Sequence, residues 1–164
     1  MKHTSILLRF LVAVMLFVSC STSKQAKIYR ADLNGKWQLQ TIKTEGITGD
    51  IKTQILNEAD ISCFIGSSWN FNQNDSLGSY TINVNGGECA SVKRDLRWSI
   101  YEAPNEPQLF QFKKLDTKLN EIDEGNAGYR FTILELNDQI MRLRNDINFE
   151  GKAASIIYNF IKNK

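Results

Sequence analysis

Three cysteines are the residues of this 164-residue chain whose type and spacing could do chemistry. Cys20 follows an apolar run near the start, and Cys63 and Cys89 lie in the body of the chain. A cysteine can carry an acyl group, form a disulfide, act as a nucleophile or bind a metal. The one histidine, His3, precedes Cys20, so the chain from Cys20 onward lacks the base of Ser-His-Asp and Cys-His catalysis and the usual zinc or copper ligand. We therefore expect no enzymatic activity, no metal and no cofactor.

We expect residues 1–19 to be removed as a signal peptide. Lys2 and Arg9 precede an apolar run over residues 10–18, and this run is too short to span a bilayer. Phe17-Val18-Ser19-Cys20 resembles the lipobox of bacterial lipoproteins, with Phe17 in place of the usual Leu. The resemblance implies that Cys20 becomes the first mature residue and carries acyl chains such as palmitate. An ordinary secretory signal with an unrelated cysteine is the alternative.

The resemblance to lipoproteins also implies a location in the bacterial cell envelope. An Asp directly after the lipidated cysteine retains many enteric lipoproteins in the inner membrane, and Ser21 stands there instead. Residues 21–27 lack the acidic tags that direct some lipoproteins to the cell surface. We therefore expect anchoring in the outer membrane, facing the periplasm, through a polar and flexible lipidated tether over residues 20–32.

The charge balance argues against nucleic acid as a partner. Removing the signal peptide leaves 145 residues, enough for one domain, which we place at residues 33–164. The loss of Lys2 and Arg9 leaves 18 basic residues against 18 acidic ones. A neutral chain without a basic arm lacks the electrostatic footprint of nucleic-acid binding.

Cys63 and Cys89 remain as a pair once Cys20 is acylated. An even pair in an oxidising compartment favours a disulfide. A reactive thiol and a metal pair are the alternatives, and neither has a nearby base, a histidine or CxxC spacing to support it.

Alternation of apolar and polar residues with a period of two dominates the rest of the sequence and predicts eight half-buried strands. Their apolar faces carry Trp37, Leu39 and Thr41; Trp69 and Phe71; Tyr80, Ile82 and Val84; Leu96, Trp98 and Ile100; Leu109, Phe110 and Phe112; Tyr129, Phe131 and Ile133; Met141 and Leu143; and Ile156, Tyr158 and Phe160. A short helix, capped by Asp50 and ending near Cys63, is predicted between the first two strands.

These elements predict an all-β, eight-stranded, up-and-down antiparallel barrel, because closure gives one-sided strands a shared interior and removes exposed edges. A two-sheet β-sandwich is the alternative. Leu33-x-Gly35-x-Trp37, Trp69-x-Phe71 and Ser79-Tyr80-Thr81-Ile82, with the two cysteines and Trp98 at matching spacing, resemble the bacterial lipocalin-like lipoproteins. The resemblance implies that Trp37 packs across the closed end, with Arg142 or Arg144 stacked on it, and that the barrel binds small apolar molecules.

Aromatic side chains are the candidate ligand-binding residues. They are Trp37, Trp69, Phe71, Tyr80, Trp98, Phe112, Phe131, Tyr158 and Phe160. The alternative is that they simply fill the interior, as bulky side chains do in small barrels. The acidic stretch 120–126 is similar to a calcium loop, but Ile122 stands at a ligand position, so we expect a solvated loop.

Asp75-Ser76-Leu77 resembles the O-glycosylation signal of one group of Gram-negative bacteria and makes Ser76 a candidate acceptor on a predicted turn. Two functions are consistent with the whole sequence. The first is a membrane-anchored lipocalin-like lipoprotein that binds a small apolar or amphipathic molecule. The second is an interaction or inhibitor module that acts through its loops, because lysozyme-inhibitor lipoproteins share the layout of lipid anchor, small barrel and disulfide.

Overall fold

The protein folds as one closed antiparallel β-barrel in the computed structural model, which describes residues 23–47, 54–83 and 89–163. A helix precedes the barrel and a small two-stranded sheet interrupts it. The elements are α1 (Lys24–Leu33), β1 (Gly35–Glu45), β2 (Gln54–Ile55), β3 (Ala59–Asp60), α2 (Ile61–Phe64), β4 (Ser68–Asn72), β5 (Leu77–Ile82), β6 (Val92–Tyr101), β7 (Leu109–Leu115), a 3-10 turn (Glu124–Asn126), β8 (Tyr129–Leu136), β9 (Ile140–Phe149) and β10 (Lys152–Lys162).

The barrel closes because its first and last strands pair. The order around the barrel is β1-β10-β9-β8-β7-β6-β5-β4, so each strand lies beside its neighbours in the chain. β1 pairs with β10 from Trp37 to Glu45 and with β4 from Gly35 to Gln38. The predicted eight-stranded up-and-down barrel is confirmed, and the β-sandwich alternative is wrong.

A bulge in β1 reverses the predicted orientation of Thr41. Leu39 pairs with Phe160 but Thr41 pairs with Asn159, so Gln40 is an extra residue in the ladder. An extra residue reverses the alternation beyond it. Thr41, predicted on the apolar face, is therefore exposed, and Ile42 packs against the core instead.

A short helix lies between the first two barrel strands, as predicted, but it begins later in the chain than expected. Residues 48–53, including Asp50, lie outside the described residues. Gln54–Asp60 forms a hairpin in which Ile55 pairs with Ala59, and only Ile61–Phe64 is helical, with Asp60 as its N-cap. A capping aspartate and a short helix near Cys63 are thus present, ten residues later than expected. Val84, expected at the end of β5, also lies outside the described residues.

Residues 24–32, predicted to be part of a flexible tether, form most of helix α1 instead. Ser23 caps the helix by accepting a hydrogen bond from the Ala26 amide, and Ala26 and Leu33 are fully buried. The segment is therefore held against the barrel by apolar contacts. Among the described residues, no helix is long and apolar enough to cross a membrane.

Candidate functional site

The barrel interior contains all nine aromatic residues proposed from the sequence as a ligand-binding surface. Each is at most 4% exposed; they are Trp37, Trp69, Phe71, Tyr80, Trp98, Phe112, Phe131, Tyr158 and Phe160. The rings contact one another throughout the interior. Phe112 and Phe131 stack with centroids 5.7 Å apart, and the rings of Trp69 and Tyr80 are 4.8 Å apart.

A narrow void lies inside the barrel among the described residues. The space that it offers to a water molecule is about 10 Å³, close to the minimum that holds one. Six of the predicted aromatics line the void, whereas Trp37, Tyr80 and Trp98 do not. The lining also includes Leu56, Phe110, Met141 and Leu143, which were not among the predicted site residues. The ring contacts and the small volume of this void favour a filled core, one of the two interpretations left open by the sequence.

Trp37 closes one end of the barrel together with helix α1. Its indole Nε1 donates to the Leu33 carbonyl at 2.8 Å, and the Lys162 ammonium lies 5.0 Å from the centre of its ring. Lys162 also donates to the carbonyl of Asp32 at 2.6 Å. The position of Trp37 at the closed end matches the expectation, and the basic residue beside it comes from β10.

Arg142 and Arg144, the basic residues expected to stack on Trp37, do not reach it. Both side chains point outward from β9 and form ion pairs, Arg142 with Glu135 at 3.9 Å and Arg144 with Asp146 at 3.1 Å. The correction follows from strand order, because β10 and not β9 is the neighbour of β1.

Helix α1 is attached to the same end through Arg30. Its guanidinium lies 4.8 Å from the centre of the Trp98 ring and donates to the Gln73 carbonyl and to Ser76 Oγ. Ser76 lies in the turn between β4 and β5, as expected, and is half-buried under this arginine. Its glycosylation remains a prediction.

The opposite end, which we call the mouth, is covered by the segment Gln54–Asp60, which we call the mouth hairpin. Ile55 and Leu56 at its tip are 6% and 7% exposed, and Leu56 reaches the central void. Two consecutive residues, Leu56 and Asn57, have positive φ values of 55° and 49°. Such values are uncommon for residues other than glycine, and for Leu in particular, so the turn carries backbone strain.

A cluster of six polar side chains holds the mouth hairpin on the barrel. We call it the mouth cluster: Glu58, Tyr80, Arg94, Lys114, Asp123 and Tyr129. Arg94 donates from Nε and a terminal nitrogen to the two Glu58 oxygens at 2.7 and 2.8 Å, and the Tyr80 hydroxyl donates to the same carboxylate at 3.0 Å. The Glu58 side chain is only 8% exposed, so these donors replace its water.

These contacts determine the protonation states of Glu58 and Tyr80. Burial raises the pKa of the Glu58 carboxyl, but hydrogen bonds from Arg94 and Tyr80 and the charges of Arg94 and Lys114 outweigh it, so the net pKa is lowered. Burial, followed by the Glu58 charge, raises the pKa of Tyr80. Glu58 is therefore an anion and Tyr80 a proton donor at neutral pH.

Lys114 is the most buried charged group of the cluster, with a side chain only 4% exposed. Its ammonium donates to the Leu56 carbonyl at 2.8 Å and lies 3.1 Å from Asp123 Oδ1 and 3.6 Å from Glu58 Oε2. The Tyr129 hydroxyl lies 2.9 Å from both the Leu56 carbonyl and Asp123 Oδ1, so both acceptors are within hydrogen-bond distance of it. Asp123 is thus 8% exposed and faces the mouth, so the expectation of a solvated acidic loop is wrong at this residue.

Sequence reasoning missed the mouth cluster, although the signal was present. Arg94 lies two residues before inward-facing Leu96, and Lys114 two residues after inward-facing Phe112. Continuing the period of two places both cations inside the barrel. Tyr80 and Arg94 are moreover direct cross-strand partners. The contribution of Glu58, from the irregular connection, carries no such signal.

Cys63 and Cys89 form the predicted disulfide, with Cα atoms 5.5 Å apart. The bond joins α2, which follows the mouth hairpin, to the segment before β6. Cys20 lies outside the described residues. Within residues 23–47, 54–83 and 89–163, no group of three or more His, Cys, Asp or Glu side chains is arranged to hold a metal.

A second concavity lies on the outer surface of β6, β7 and β8. This outer groove has a volume of about 770 Å³ and is lined in part by Arg97, Lys113 and Arg130. Arg97 and Lys113 are direct cross-strand partners, and Lys113 also pairs with Glu121 at 2.8 Å. The groove is open and basic, in contrast to the closed, aromatic interior.

Comparison with known proteins identifies the family. None of the curated proteins matches the sequence. Solved structures of bovine odorant-binding protein are similar at low identity. One, a complex with a selenium-containing odorant, shares 12% identity over 88% of this chain and 78% of that chain, with a TM-score of 0.46. A deswapped triple mutant of the bovine protein shares 14% identity over 80% and 74% of the two chains, with a TM-score of 0.43.

The family model for the lipocalin-like domain matches residues 33–143, which is more than half of the chain. The matched region begins at Leu33, which precedes the Gly35-x-Trp37 motif of β1, and ends in β9. The chain therefore belongs to the lipocalin-like domain family.

Proposed function

We propose that this protein is a lipid-anchored, non-enzymatic binding protein of a bacterial cell envelope that holds a small apolar or amphipathic molecule at the mouth of its barrel. The observation that carries the proposal is the mouth hairpin. Its apolar tip, Ile55 and Leu56, continues the aromatic interior, whereas its Leu56 carbonyl and Glu58 carboxylate contact polar groups of the barrel. Displacing the hairpin therefore exposes a concave apolar surface with a polar rim, which is the composition of a ligand pocket.

The filled interior limits what such a ligand can be. With about 10 Å³ free below Leu56, a ligand occupies the space that the hairpin tip leaves and not a preformed deep cavity. This favours one short apolar group over a long or rigid lipid.

The position of helix α1 supports an orientation for the anchored protein. Ser23 hydrogen-bonds to Glu102 in the connection between β6 and β7, at the closed end of the barrel. Cys20 is three residues upstream, and three residues span at most about 11 Å. A lipid on Cys20 would hold the closed end at the outer membrane and turn the mouth towards the periplasm.

Protein purified from membranes of its native host tests the binding function. Native mass spectrometry should show a bound small molecule, and solvent extraction should release it. A protein free of ligand in both measurements would contradict the proposal. For the anchor, wild type should carry an acyl mass and fractionate with membranes, and Cys20→Ala should lose both properties; an unacylated wild type would exclude it.

A second candidate function is an interaction module, favoured by the outer groove. Among the described residues, Arg97, Lys113 and Arg130 line the groove beside a single carboxylate, that of Glu121, so the groove is basic overall. An acidic protein partner would match this charge. Pull-down from an envelope extract with wild type and Arg97→Glu tests it: a stoichiometric partner lost in the variant supports the module, and no such partner with wild type contradicts it.

A further inference from the structure

The mouth cluster has the form of an anion-binding site occupied by a carboxylate of the protein itself. Glu58 receives two hydrogen bonds from Arg94 and one from the Tyr80 hydroxyl, and the ammonium of Lys114 lies 3.6 Å away. These three donors belong to adjacent barrel strands, β5, β6 and β7, whereas Glu58 belongs to the inserted hairpin. The barrel thus supplies the donors, and the hairpin supplies the anion.

From this arrangement we infer that the mouth binds a small monoanionic amphiphile, whose carboxylate replaces that of Glu58 and whose apolar group replaces the hairpin tip. The inference rests on the proposed function, because it assumes that the hairpin yields to a ligand. It adds the chemical class of that ligand and the residues that recognise it, Arg94, Lys114 and Tyr80.

The charges of the cluster fix the number of negative charges on the ligand. With Glu58 in place, Arg94 and Lys114 are balanced by Glu58 and Asp123. With the hairpin displaced, two cations face one anion, Asp123, and the site carries one net positive charge. A buried site favours charge balance, so it selects one anionic group over a neutral or dianionic one.

The spacing of groups on the hairpin indicates the shape of the ligand. Leu56 and Glu58 are two positions apart; Leu56 lines the void together with Trp69 and Phe112, and the Glu58 carboxylate contacts Arg94. A carboxylate joined to a short aliphatic chain has the same two groups at a similar separation.

The backbone of the hairpin carries a cost that displacement by a ligand would release. Leu56 and Asn57 have positive φ values of 55° and 49°. Backbone strain of this kind raises the free energy of the closed arrangement.

The experiment compares octanoate with 1-octanol by isothermal titration calorimetry at pH 7, using delipidated wild-type protein. The two probes share a chain length and differ in the anionic group. We expect wild type to bind octanoate at least about tenfold more tightly than 1-octanol, because hydrogen bonds to a charged group exceed those to a neutral one by that order. In Arg94→Gln the ratio should fall towards one.

Glu58→Gln tests the competition between ligand and hairpin. It weakens the hold of the hairpin but leaves the donors in place, so both probes should bind several-fold more tightly and the octanoate preference should remain. Glu121→Gln is the matched control, since it removes a carboxylate paired with Lys113 on the outer surface and should change neither affinity.

The outcomes distinguish the anionic site from the binding of apolar molecules in general. Equal affinities of wild type for octanoate and 1-octanol overturn the anionic site while leaving apolar binding in place. Unchanged affinities in Glu58→Gln overturn the role of the hairpin as the competing occupant. If neither probe binds to wild type or to Glu58→Gln, both the inference and the binding of small amphiphiles fail.

Discussion

Glu58 and Arg94 form a two-point ion pair, at 2.7 and 2.8 Å, between an inserted hairpin and the inner wall of the barrel. The Glu58 side chain is nearly buried, while that of Arg94 remains 37% exposed. The pair is therefore partly desolvated and joins two segments that are 36 residues apart in sequence. The pair is one of the contacts that hold the hairpin over the mouth, and it depends on the ionisation of Glu58.

The first prediction concerns pH. The folded-state pKa of Glu58 lies below its ordinary value of 4.5, so its stabilising contribution is present above pH 4.5 and is lost as pH falls through the lower folded value. Glu58→Gln should therefore be less stable than wild type at pH 7, and the difference should shrink as pH falls below about 4.5. Urea unfolding of both proteins from pH 7 to pH 3 measures this.

The same series with Glu121→Gln provides the control, because the Glu121 side chain is one-third exposed and its ion pair is screened by water. A difference between wild type and Glu58→Gln that stays constant over the whole pH range would contradict the assigned ionisation.

The second prediction concerns Lys114. Replacing it with Met removes the cationic partner of Asp123 and one donor to the Leu56 carbonyl, and leaves a buried carboxylate without a cation beside it. We expect a loss of about 3–5 kcal/mol in the free energy of unfolding. The neighbouring Lys113→Met, on the outer face, should lose at most about 1 kcal/mol. Similar losses in denaturant titrations of the two variants would refute the buried role of Lys114.

The alternation of residue types was enough to predict the barrel, because a closed eight-stranded sheet demands one buried face on every strand. Trp69 with Phe71, and Tyr158 with Phe160, follow that rule without interruption. The alternation rule failed at Thr41, where a bulge inserts one residue. A bulge is defined by the pairing with the partner strand, so the sequence of β1 alone does not reveal it.

The closed end and the mouth were harder to predict because they depend on long-range neighbours. The stacking of Lys162 on Trp37 requires knowing that the last strand lies beside the first. The contacts of Glu58 require the path of an irregular connection over the mouth. The inward orientation of Lys114 could have been predicted, because it lies two positions after inward-facing Phe112 in the same strand. Lysine side chains are rarely buried, however, so the alternation alone did not suggest it.

The third prediction concerns the Cys63–Cys89 disulfide, which closes a loop of 26 positions. In the chain-entropy model such a loop contributes about 3 kcal/mol. Cys63→Ser with Cys89→Ser should lower the thermal midpoint of protein made in an oxidising compartment. Reductant should destabilise wild type in the same direction and leave the double variant unchanged. If thiol counting finds two free thiols in the oxidised wild type, the bond is absent in solution.

The fourth prediction concerns the closed end. Lys162→Met keeps the aliphatic stem of the side chain but removes the ammonium above Trp37 and its hydrogen bond to Asp32. A loss of about 1–2 kcal/mol is expected from the cation–π contact and the hydrogen bond together. Lys152→Met, at the exposed other end of β10, is the matched control and should be neutral. Equal unfolding midpoints for the two variants would exclude a stabilising role for Lys162.

The fifth prediction concerns the filled interior. Phe131 stacks on Phe112 and meets Tyr158 edge-on with centroids 5.4 Å apart, and it lines the central void. Phe131→Ala should cost about 3–5 kcal/mol and leave an apolar cavity in place of the ring. Such cavities stay dry and take up benzene. Leu134→Ala, at an exposed position of the same strand, should neither lose comparable stability nor create a cavity that binds benzene. Benzene-induced shifts of interior aromatic NMR signals should be larger in Phe131→Ala than in wild type, because only the variant offers a cavity without displacement of the hairpin tip. Equal shifts in the two proteins would show that the interior is not filled in solution.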